Sequence, residues 1–239
     1  MVSHKKDHDV FDGCNYDGLI GGIIPHYQIL LRTAVHYLQP HAKNILELGC
    51  GTGVLTGLIH EACPRAEITG IDLSNEMLDK ARTKPSLRKI RFVAGDIRNP
   101  WTGDHYDAII TTLCLHHLAD HEREDLFKRA SKALEPDGRF ICGDIFRADR
   151  DRDNTLIVEA WRDSMIQGNV SADDITAMIT QYANNLSQIS TLPMYCEQLK
   201  KAGFSCTFSP FAAGLVGLVI GFRSDKDPML EPAALGYSR

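Results

Sequence analysis

The sequence predicts an α/β protein in which helices cover both faces of a mostly parallel sheet. Three observations support this fold class. Short apolar runs of strand length alternate with helical patterns between residues 44 and 145. A glycine-rich loop joins the first apolar run to the helix that follows it, and acidic residues end the second and third runs. In such a doubly wound sheet, a ligand binds at the carboxyl ends of the strands, where the strand order reverses.

Length and composition are those of one globular domain, and we expect residues 1–239 to form it. The chain has 239 residues, of which 44% are hydrophobic and 24% are charged. The formal net charge is −5 and no long basic run occurs, which disfavours nucleic acid and anionic membranes as partners. The polar N-terminus lacks the apolar core of a secretory signal, and we expect a cytoplasmic protein. The seven cysteines are scattered without a C-x-x-C pair and predict reduced, packed residues.

The first forty residues precede the alternating pattern. Gly18, Gly21 and Gly22 predict a flexible hinge, and Pro25 is well placed to open the helix that follows. We expect residues 1–40 to act as a helical lid over the ligand. Tyr16 and Tyr27 would then meet a cationic ligand through cation–π attraction or their hydroxyls, the alternative being that both rings only pack.

The stretch "NILELGCGTGVLTGLIHEA" predicts a strand, a tight loop and a helix in succession. Ile45 to Leu48 form a short buried strand, while the apolar residues from Val54 onward recur at helical spacing. Such a loop brings backbone amides and a helix N-terminus close to a ligand. No lysine follows the loop, as a nucleotide-hydrolase loop requires, and Gly53 falls one place too early for a dinucleotide fingerprint. The loop therefore favours a nucleoside over a pyrophosphate.

Two acidic residues at strand ends complete a nucleoside site. Asp72 ends the second apolar run, about twenty residues after the loop, where a carboxylate accepts hydrogen bonds from ribose hydroxyls. Ser74 is positioned as the N-cap of the next helix. Asp96 ends the third run and could accept from the exocyclic amine of adenine, with Ile97 beside the ring. These parts predict adenosine without phosphates.

The segments "LELGCGTG", "GIDLS", "GDI" and "LEPDGRFICGDIF", in this order, resemble the class I S-adenosylmethionine-dependent methyltransferases over about Asn44 to Ile145. The resemblance implies a Rossmann-like, seven-stranded sheet that is mostly parallel with an antiparallel last strand. It also implies S-adenosylmethionine as the cofactor. The alternative is an unrelated doubly wound domain in which acidic residues happen to end the strands.

A narrower resemblance extends over nearly the whole chain. "IIPHYQ", "LPMYCEQLKKAGF" and "LVGLVIGF" resemble the carboxy-S-adenosylmethionine synthase branch and its methyltransferase relatives. That family has asparagine where Thr112 stands and an arginine in the helical insertion, which "DITAMITQYANNLSQIS" lacks, so carboxy-transfer chemistry is disfavoured. The resemblance implies cofactor contacts at Tyr27, Gly49, Cys50, Gly51, Asp72, Leu73, Asp96, Ile97 and Thr112. We add Tyr16 and Glu47 to this expected set.

Three further segments complete the expected organisation. Residues 44–145 form the nucleoside-binding core, and residues 147–190 break the alternation with two helical segments that predict an insertion or lid. Residues 191–223 predict a helix that ends at Gly203 and a hairpin with its turn near Ala213 and Gly214. In the insertion, a stripe of apolar residues could line an acceptor pocket or simply pack in the core: Trp161, Met165, Met178 and Tyr182.

The residues after the fourth strand are the candidates for catalysis. His116 or His117 could act as a general base, and the alternative is that one packs and the other caps. Asp144 ends the fifth strand, where it could position an acceptor or cap the next segment. His117 and His121 have the spacing of paired metal ligands, but no third ligand falls at a recognised spacing, so we expect no metal.

Three functions are compatible with these features. We favour a methyltransferase that acts on a small-molecule acceptor by in-line transfer from S-adenosylmethionine. The second alternative is an enzyme that uses the sulfonium compound for another reaction, either intramolecular alkyl transfer or carboxy-S-adenosylmethionine formation. The third is a non-catalytic S-adenosylmethionine-binding regulator. We expect a small-molecule substrate and no membrane partner, and the sequence leaves homodimer formation open.

Overall fold

The computed structural model describes residues 16–101, 103 and 105–223. The first fifteen residues of the expected lid lie outside this range. The helices are α1 (Tyr16–Ile23), α2 (Tyr27–His36), α3 (Val54–Ala62), α4 (Asn75–Thr83), α5 (Asp120–Ala133), α6 (Asp151–Gln167), α7 (Ala172–Asn185) and α8 (Leu192–Lys201). The strands are β1 (Asn44–Leu48), β2 (Glu67–Asp72), β3 (Arg91–Ala94), β4 (Tyr106–Thr112), β5 (Leu134–Ile145), β6 (Cys206–Ala213) and β7 (Val216–Phe222).

The seven strands form one sheet in the order β3-β2-β1-β4-β5-β7-β6. Strands β1 to β5 pair in parallel, whereas β7 runs antiparallel to both β5 and β6. The predicted doubly wound, mostly parallel sheet with an antiparallel last strand is confirmed. The strand order reverses between β1 and β4, so the ligand crevice is expected beside their carboxyl ends.

The core lies in two apolar layers, one on each face of the sheet. Neighbouring strand residues point to opposite layers, as a period of two requires: Ile45 and Ile110 pack on one side, Leu46 and Ile109 on the other. The first layer includes apolar residues of α1, α2, α3, α6 and α7, and the second includes those of α5 and α8. The N-terminal helices and the insertion therefore share one core layer.

Local signals place the helix starts. The Ser74 hydroxyl accepts a hydrogen bond from the backbone amide of Met77 at 3.3 Å, which confirms the predicted N-cap of α4. Thr191 caps α8 in the same way through Met194 at 3.4 Å. The last helix ends at Lys201, two residues before Gly203, and Gly214 turns the final hairpin with a φ of 61°.

The expected glycine hinge is wrong. Gly18, Gly21 and Gly22 lie inside α1 instead of forming a flexible segment before a helix. The reason at Gly22 is close packing, because a Cβ on the facing Gly168 would lie 2.8 Å from the Gly22 carbonyl oxygen. The ring nitrogen of Trp161 also donates to the Ile23 carbonyl oxygen at 2.7 Å. These contacts join α1 to α6.

Candidate active site

A cavity of about 340 Å³ opens at the carboxyl ends of the central strands. The loops after β1, β2, β3 and β4 form one side of it, and α1, α6 and α7 form the other. The cavity lies at the reversal of strand order between β1 and β4. A second, smaller cavity of about 40 Å³ adjoins the same glycine loop and shares Tyr16, Gly49, Gly51 and Thr112 with the first.

The glycine loop after β1 needs its glycines. Gly49, Gly51 and Gly53 have φ angles of 68°, 52° and 79°, a region that side chains disfavour. A Cβ on Gly49 would also overlap the sulfur of Cys114, whereas a Cβ on Gly51 would meet nothing within 4 Å. The backbone of Gly51 therefore faces open cavity, which allows close approach of a ligand.

Asp72, at the end of β2, organises this loop. One carboxylate oxygen accepts from the backbone amide of Gly51 at 2.7 Å, and the other accepts from that of Ser74 at 2.8 Å. Each oxygen keeps a further lone pair, so the carboxylate can also accept from two hydroxyls of a ligand. Leu73 beside it is 56% exposed and lines the cavity, which leaves an apolar surface for a ring to cover.

Asp96 forms an ion pair that the sequence analysis missed. The Nε atom of Arg98 lies 2.9 Å from both carboxylate oxygens, and the Arg98 guanidinium also reaches Glu122 at 2.9 Å. Asp96, Ile97 and Arg98 all line the cavity. Asp96 is therefore held in place by a cation at the rim of the site. In the sequence, the position of Arg98 two places after Asp96 could have indicated this ion pair.

The smaller cavity brings together Tyr16, Tyr27, Glu47 and Cys50. Glu47 is 1% exposed, and its carboxyl group accepts a hydrogen bond from the Thr56 hydroxyl at 2.5 Å. Burial raises the pKa of Glu47 to about 8, because the charged form loses its hydration. Burial likewise raises the pKa of Tyr16 to about 12, so this phenol keeps its proton at neutral pH and is a hydrogen-bond donor.

The raised pKa of Glu47 predicts that the empty protein loses stability as the pH rises. In the unfolded chain this carboxyl ionises near its ordinary value of 4.5, whereas in the folded protein it ionises near 8. The contribution to stability is complete below the ordinary value and disappears as the pH rises through the folded value. The free energy of unfolding should therefore decline between about pH 5 and about pH 8, by at most about 1.4 kcal/mol per pH unit from this group.

The test compares urea unfolding of the parent and Glu47→Gln at several pH values. Glutamine keeps an acceptor for Thr56 but does not titrate, so the variant should lose this part of the slope. The control is Glu61→Gln, at an exposed position of α3. An identical pH slope in the parent and Glu47→Gln would contradict the assignment.

The loop after β4 places a histidine against a buried carboxylate. The Nδ1 atom of His116 lies 2.5 Å from one oxygen of Asp144, and the His116 backbone amide donates to the other at 3.0 Å. The Asp144 side chain is 1% exposed and the His116 side chain is 15% exposed. His116 lines the cavity, whereas Asp144 does not. Asp144 therefore holds His116 in place, and the expectation that it positions an acceptor or caps the next segment stays a prediction.

The pairing determines which nitrogen of His116 can accept a proton. A carboxylate facing Nδ1 favours a proton on that atom and leaves Nε2 as the acceptor. His117 packs against it with ring centroids 4.0 Å apart and also lines the cavity. Burial raises the pKa of the Cys114 thiol, so this neighbouring group stays protonated and does not compete as a base.

Helices α6 and α7 supply the far wall of the cavity. Trp161, Met178 and Tyr182 line it, whereas Met165 is fully buried in the core beneath. The predicted apolar stripe is therefore divided between pocket and core. Gln181 and Asn185 of α7 also line the wall, and sequence analysis missed both. Their spacing of four residues on one helix was the available signal.

The described residues fit a nucleoside cofactor. They include no cluster of three histidine, cysteine or acidic side chains that could hold a metal ion. They do include an open glycine loop, a carboxylate with spare acceptor capacity at the end of β2 and apolar residues beside it. Within the same range, no helix is long and apolar enough to cross a membrane. Fold and cavity define a doubly wound α/β protein with a cavity at the switch point.

Comparison with known proteins relates the chain to a family of enzymes. Residues 45–138 match the family described as "Methyltransferase domain". An uncharacterized methyltransferase of Anoxybacillus flavithermus (strain DSM 21510 / WK1) is 27% identical over 212 residues, which cover 88% of this chain and 85% of that protein. The demethylmenaquinone methyltransferase of Thermotoga maritima is 25% identical over 187 residues, covering 77% and 80%. These matches support a class I S-adenosylmethionine-dependent methyltransferase with S-adenosylmethionine as its cofactor.

A solved structure shows the same fold at lower identity. Human N-acetylserotonin methyltransferase in complex with SAM matches with a TM-score of 0.57 and 20% identity. The match covers 82% of this chain and 51% of that one, so the chain spans about half the length of that protein. The narrower resemblance to the carboxy-S-adenosylmethionine synthase branch stays a prediction.

Proposed function

We propose that the protein methylates a hydroxyl group of a small-molecule acceptor, with His116 as the general base. The observation that carries this proposal is the 2.5 Å contact between His116 Nδ1 and the buried Asp144 carboxylate at the edge of the cavity. A proton acceptor is needed where an alcohol must lose its proton as it attacks. The relative named demethylmenaquinone methyltransferase supports a small-molecule acceptor.

In the proposed mechanism the chain aligns the reactants and removes one proton. When bound, S-adenosylmethionine supplies an electrophilic methyl group on a sulfonium whose departing thioether is neutral. His116 takes the hydroxyl proton on Nε2 as the oxygen–methyl bond forms, and Asp144 stabilises the resulting imidazolium. The sulfur–methyl electron pair stays on sulfur, so charge and atoms balance. His117 lies in the same wall, with its ring tilted by 44° against that of His116, and restricts the rotation of the imidazole.

The cofactor would extend over both cavities. We assign the ribose hydroxyls to Asp72, the adenine to the surface formed by Leu73 and Ile97, and its amine to Asp96. The amino acid end would lie in the smaller cavity, where Glu47 can pair with an ammonium group. Cys50 and Thr112 border the same region. Tyr16, Tyr27 and the loop glycines Gly49 and Gly51 would enclose the sulfonium region.

We also propose that α1 and the insertion act together as a cover that excludes water. Asp17 of α1 accepts from the Thr52 hydroxyl in the glycine loop at 2.5 Å, and Lys84 pairs with the same carboxylate at 2.7 Å. The hydrogen bond from Trp161 to the Ile23 carbonyl oxygen links α1 to α6. Expelling water strengthens the electrostatic interactions of the site and protects the reacting carbon.

Two observations favour methyl transfer over the alternatives. A carboxylated sulfonium would need a cation for its extra carboxylate, but the one guanidinium among the described cavity residues, that of Arg98, already pairs with Asp96 and Glu122. The His116–Asp144 pair provides a proton acceptor at the edge of the cavity, which a protein that only binds the cofactor does not need.

The deciding experiment is mass spectrometry of the protein incubated with S-adenosylmethionine and a metabolite extract. Methyl transfer yields S-adenosylhomocysteine together with an acceptor heavier by one methylene unit. Methylthioadenosine as the spent cofactor would instead show attack on the aminobutyryl chain, and absence of turnover would favour a regulator. A methylated product whose methyl group lies on nitrogen, carbon or sulfur would contradict the proposed hydroxyl acceptor.

A further inference from the structure

The acceptor side of the cavity has a mostly apolar surface. Ile23, Ile24 and Ile189 contribute aliphatic groups, and Trp161 and Tyr182 meet edge to face with ring centroids 5.7 Å apart. Burial raises the pKa of Tyr182 to about 12, so this ring bears no charge at neutral pH. An aromatic body is well matched to such walls, because ring edges and faces pack favourably against one another.

Two carboxamides of α7 interrupt this apolar wall, and Gln188 adds a third just beyond the end of the helix. Gln181 and Asn185 lie four residues apart on α7, so they share one face of the helix, and both line the cavity. Neither side chain makes a hydrogen bond to another residue in the part of the chain that the structure describes. Each carboxamide offers two donors and an acceptor, so the pair can bind a neutral polar group of a ligand.

The charges around the cavity disfavour an anionic acceptor. Asp72 and Asp96 line it, and Asp144 lies directly behind His116. Arg98 is already paired with Asp96 and Glu122, with nitrogen–oxygen distances of 2.5 and 2.9 Å. A carboxylate or phosphate on the acceptor would meet these negative groups without an unpaired arginine or lysine to compensate it within the described lining.

We infer that the acceptor is an uncharged, hydroxylated aromatic ring with a second neutral hydrogen-bonding group, which Gln181 and Asn185 recognise. This inference rests on the proposed hydroxyl methylation, since His116 is assigned to the reacting hydroxyl. The two carboxamides are therefore specificity-determining residues. They form hydrogen bonds with the substituent that does not react, while the apolar wall packs against the ring.

The test measures equilibrium binding by calorimetry after saturation with S-adenosylhomocysteine, so that no turnover is required. The probes are 2-naphthol, 2,6-dihydroxynaphthalene and 6-hydroxy-2-naphthoate, which share a ring and a hydroxyl and differ in the second group. The diol should bind roughly 3- to 10-fold more tightly than 2-naphthol, as expected for one additional hydrogen bond. The carboxylate should bind more weakly than both.

Variants assign the difference to the two carboxamides. Gln181→Leu and Asn185→Leu should each reduce the advantage of the diol over 2-naphthol, and the double variant should abolish it. Leucine is a good helix former, so α7 should persist. The control is Asn184→Leu, at an exposed position of the same helix that does not line the cavity, and it should preserve the advantage.

The outcomes separate this inference from the proposed function. Tighter binding of the carboxylate, equal binding of all three probes, or no binding of any probe would overturn the substrate class, even where the metabolite extract is methylated. A diol advantage that survives the double variant would overturn the assignment to Gln181 and Asn185. Failure of S-adenosylhomocysteine to bind in the first titration would instead overturn the cofactor placement, and this inference with it.

Discussion

Replacing His116 with asparagine is expected to lower the rate of methyl transfer by roughly 10²- to 10⁴-fold, the usual contribution of a general base. Asparagine can still donate to the buried Asp144 carboxylate, which avoids leaving that charge unpaired, but it cannot accept the acceptor's proton. The measurement is the initial rate at which radiolabelled methyl groups pass from S-adenosylmethionine to a metabolite extract. Affinity for S-adenosylhomocysteine should stay unchanged, because His116 is assigned to the acceptor.

Two further variants test whether the loss of transfer rate depends on the His116–Asp144 pair. His121→Asn, at an exposed position of α5, is the matched control and should retain the parent rate. Asp144→Asn should lower the rate and also alter its pH profile, because an amide no longer favours one imidazole tautomer. A purely structural role for Asp144 would change stability and leave the pH profile in place. Parent-like transfer by folded His116→Asn would exclude His116 as the base.

Replacing Asp72 with alanine is expected to raise the Kd for S-adenosylmethionine by roughly 10- to 150-fold, which corresponds to about 1.5–3 kcal/mol for hydrogen bonds to a charged group. The carboxylate is assigned to the ribose, and it also holds the amides of Gly51 and Ser74 at 2.7 and 2.8 Å. Its loss therefore removes a ligand contact and loosens the loop that approaches the ligand. Isothermal titration calorimetry with S-adenosylmethionine and with S-adenosylhomocysteine measures the effect.

A surface carboxylate on the next helix provides the control. Asp79 pairs with Arg82 at 2.9 Å, and its side chain is 74% exposed. Because an exposed ion pair contributes little, Asp79→Ala should leave both affinities in place. Circular dichroism confirms that each variant is folded. Parent-like affinity in folded Asp72→Ala would show that this carboxylate only shapes the loop.

The predicted nucleoside half of the site rests on short stretches of sequence. Between Asn44 and Asp96, each predicted feature depends on residues close together in the chain: a strand, a glycine loop with positive φ angles and an acidic residue at a strand end. Backbone sterics and a period-two apolar pattern act over a few neighbouring residues, so they can be recognised without a structure. The roles of the individual side chains stay predictions.

The N-terminal glycines show where such local rules fail. Three glycines in seven residues favour a hinge by propensity alone. The structure instead makes them part of α1, because Gly22 meets Gly168 across 146 residues of chain. A contact of that range is invisible to local propensity, and close backbone packing outweighs the entropic cost of glycine in a helix.

The sequence by itself determined the doubly wound fold, and it predicted a cofactor site at the strand ends. Only the tertiary structure decided that Asp144 holds His116, that Arg98 pairs with Asp96, and that two carboxamides of α7 line the cavity. The physical reason is that the fold depends on apolar patterns repeated along the chain, whereas each of these contacts depends on the orientation of individual side chains. Those orientations are set when parallel strands and packed helices bring distant residues to one edge of the sheet.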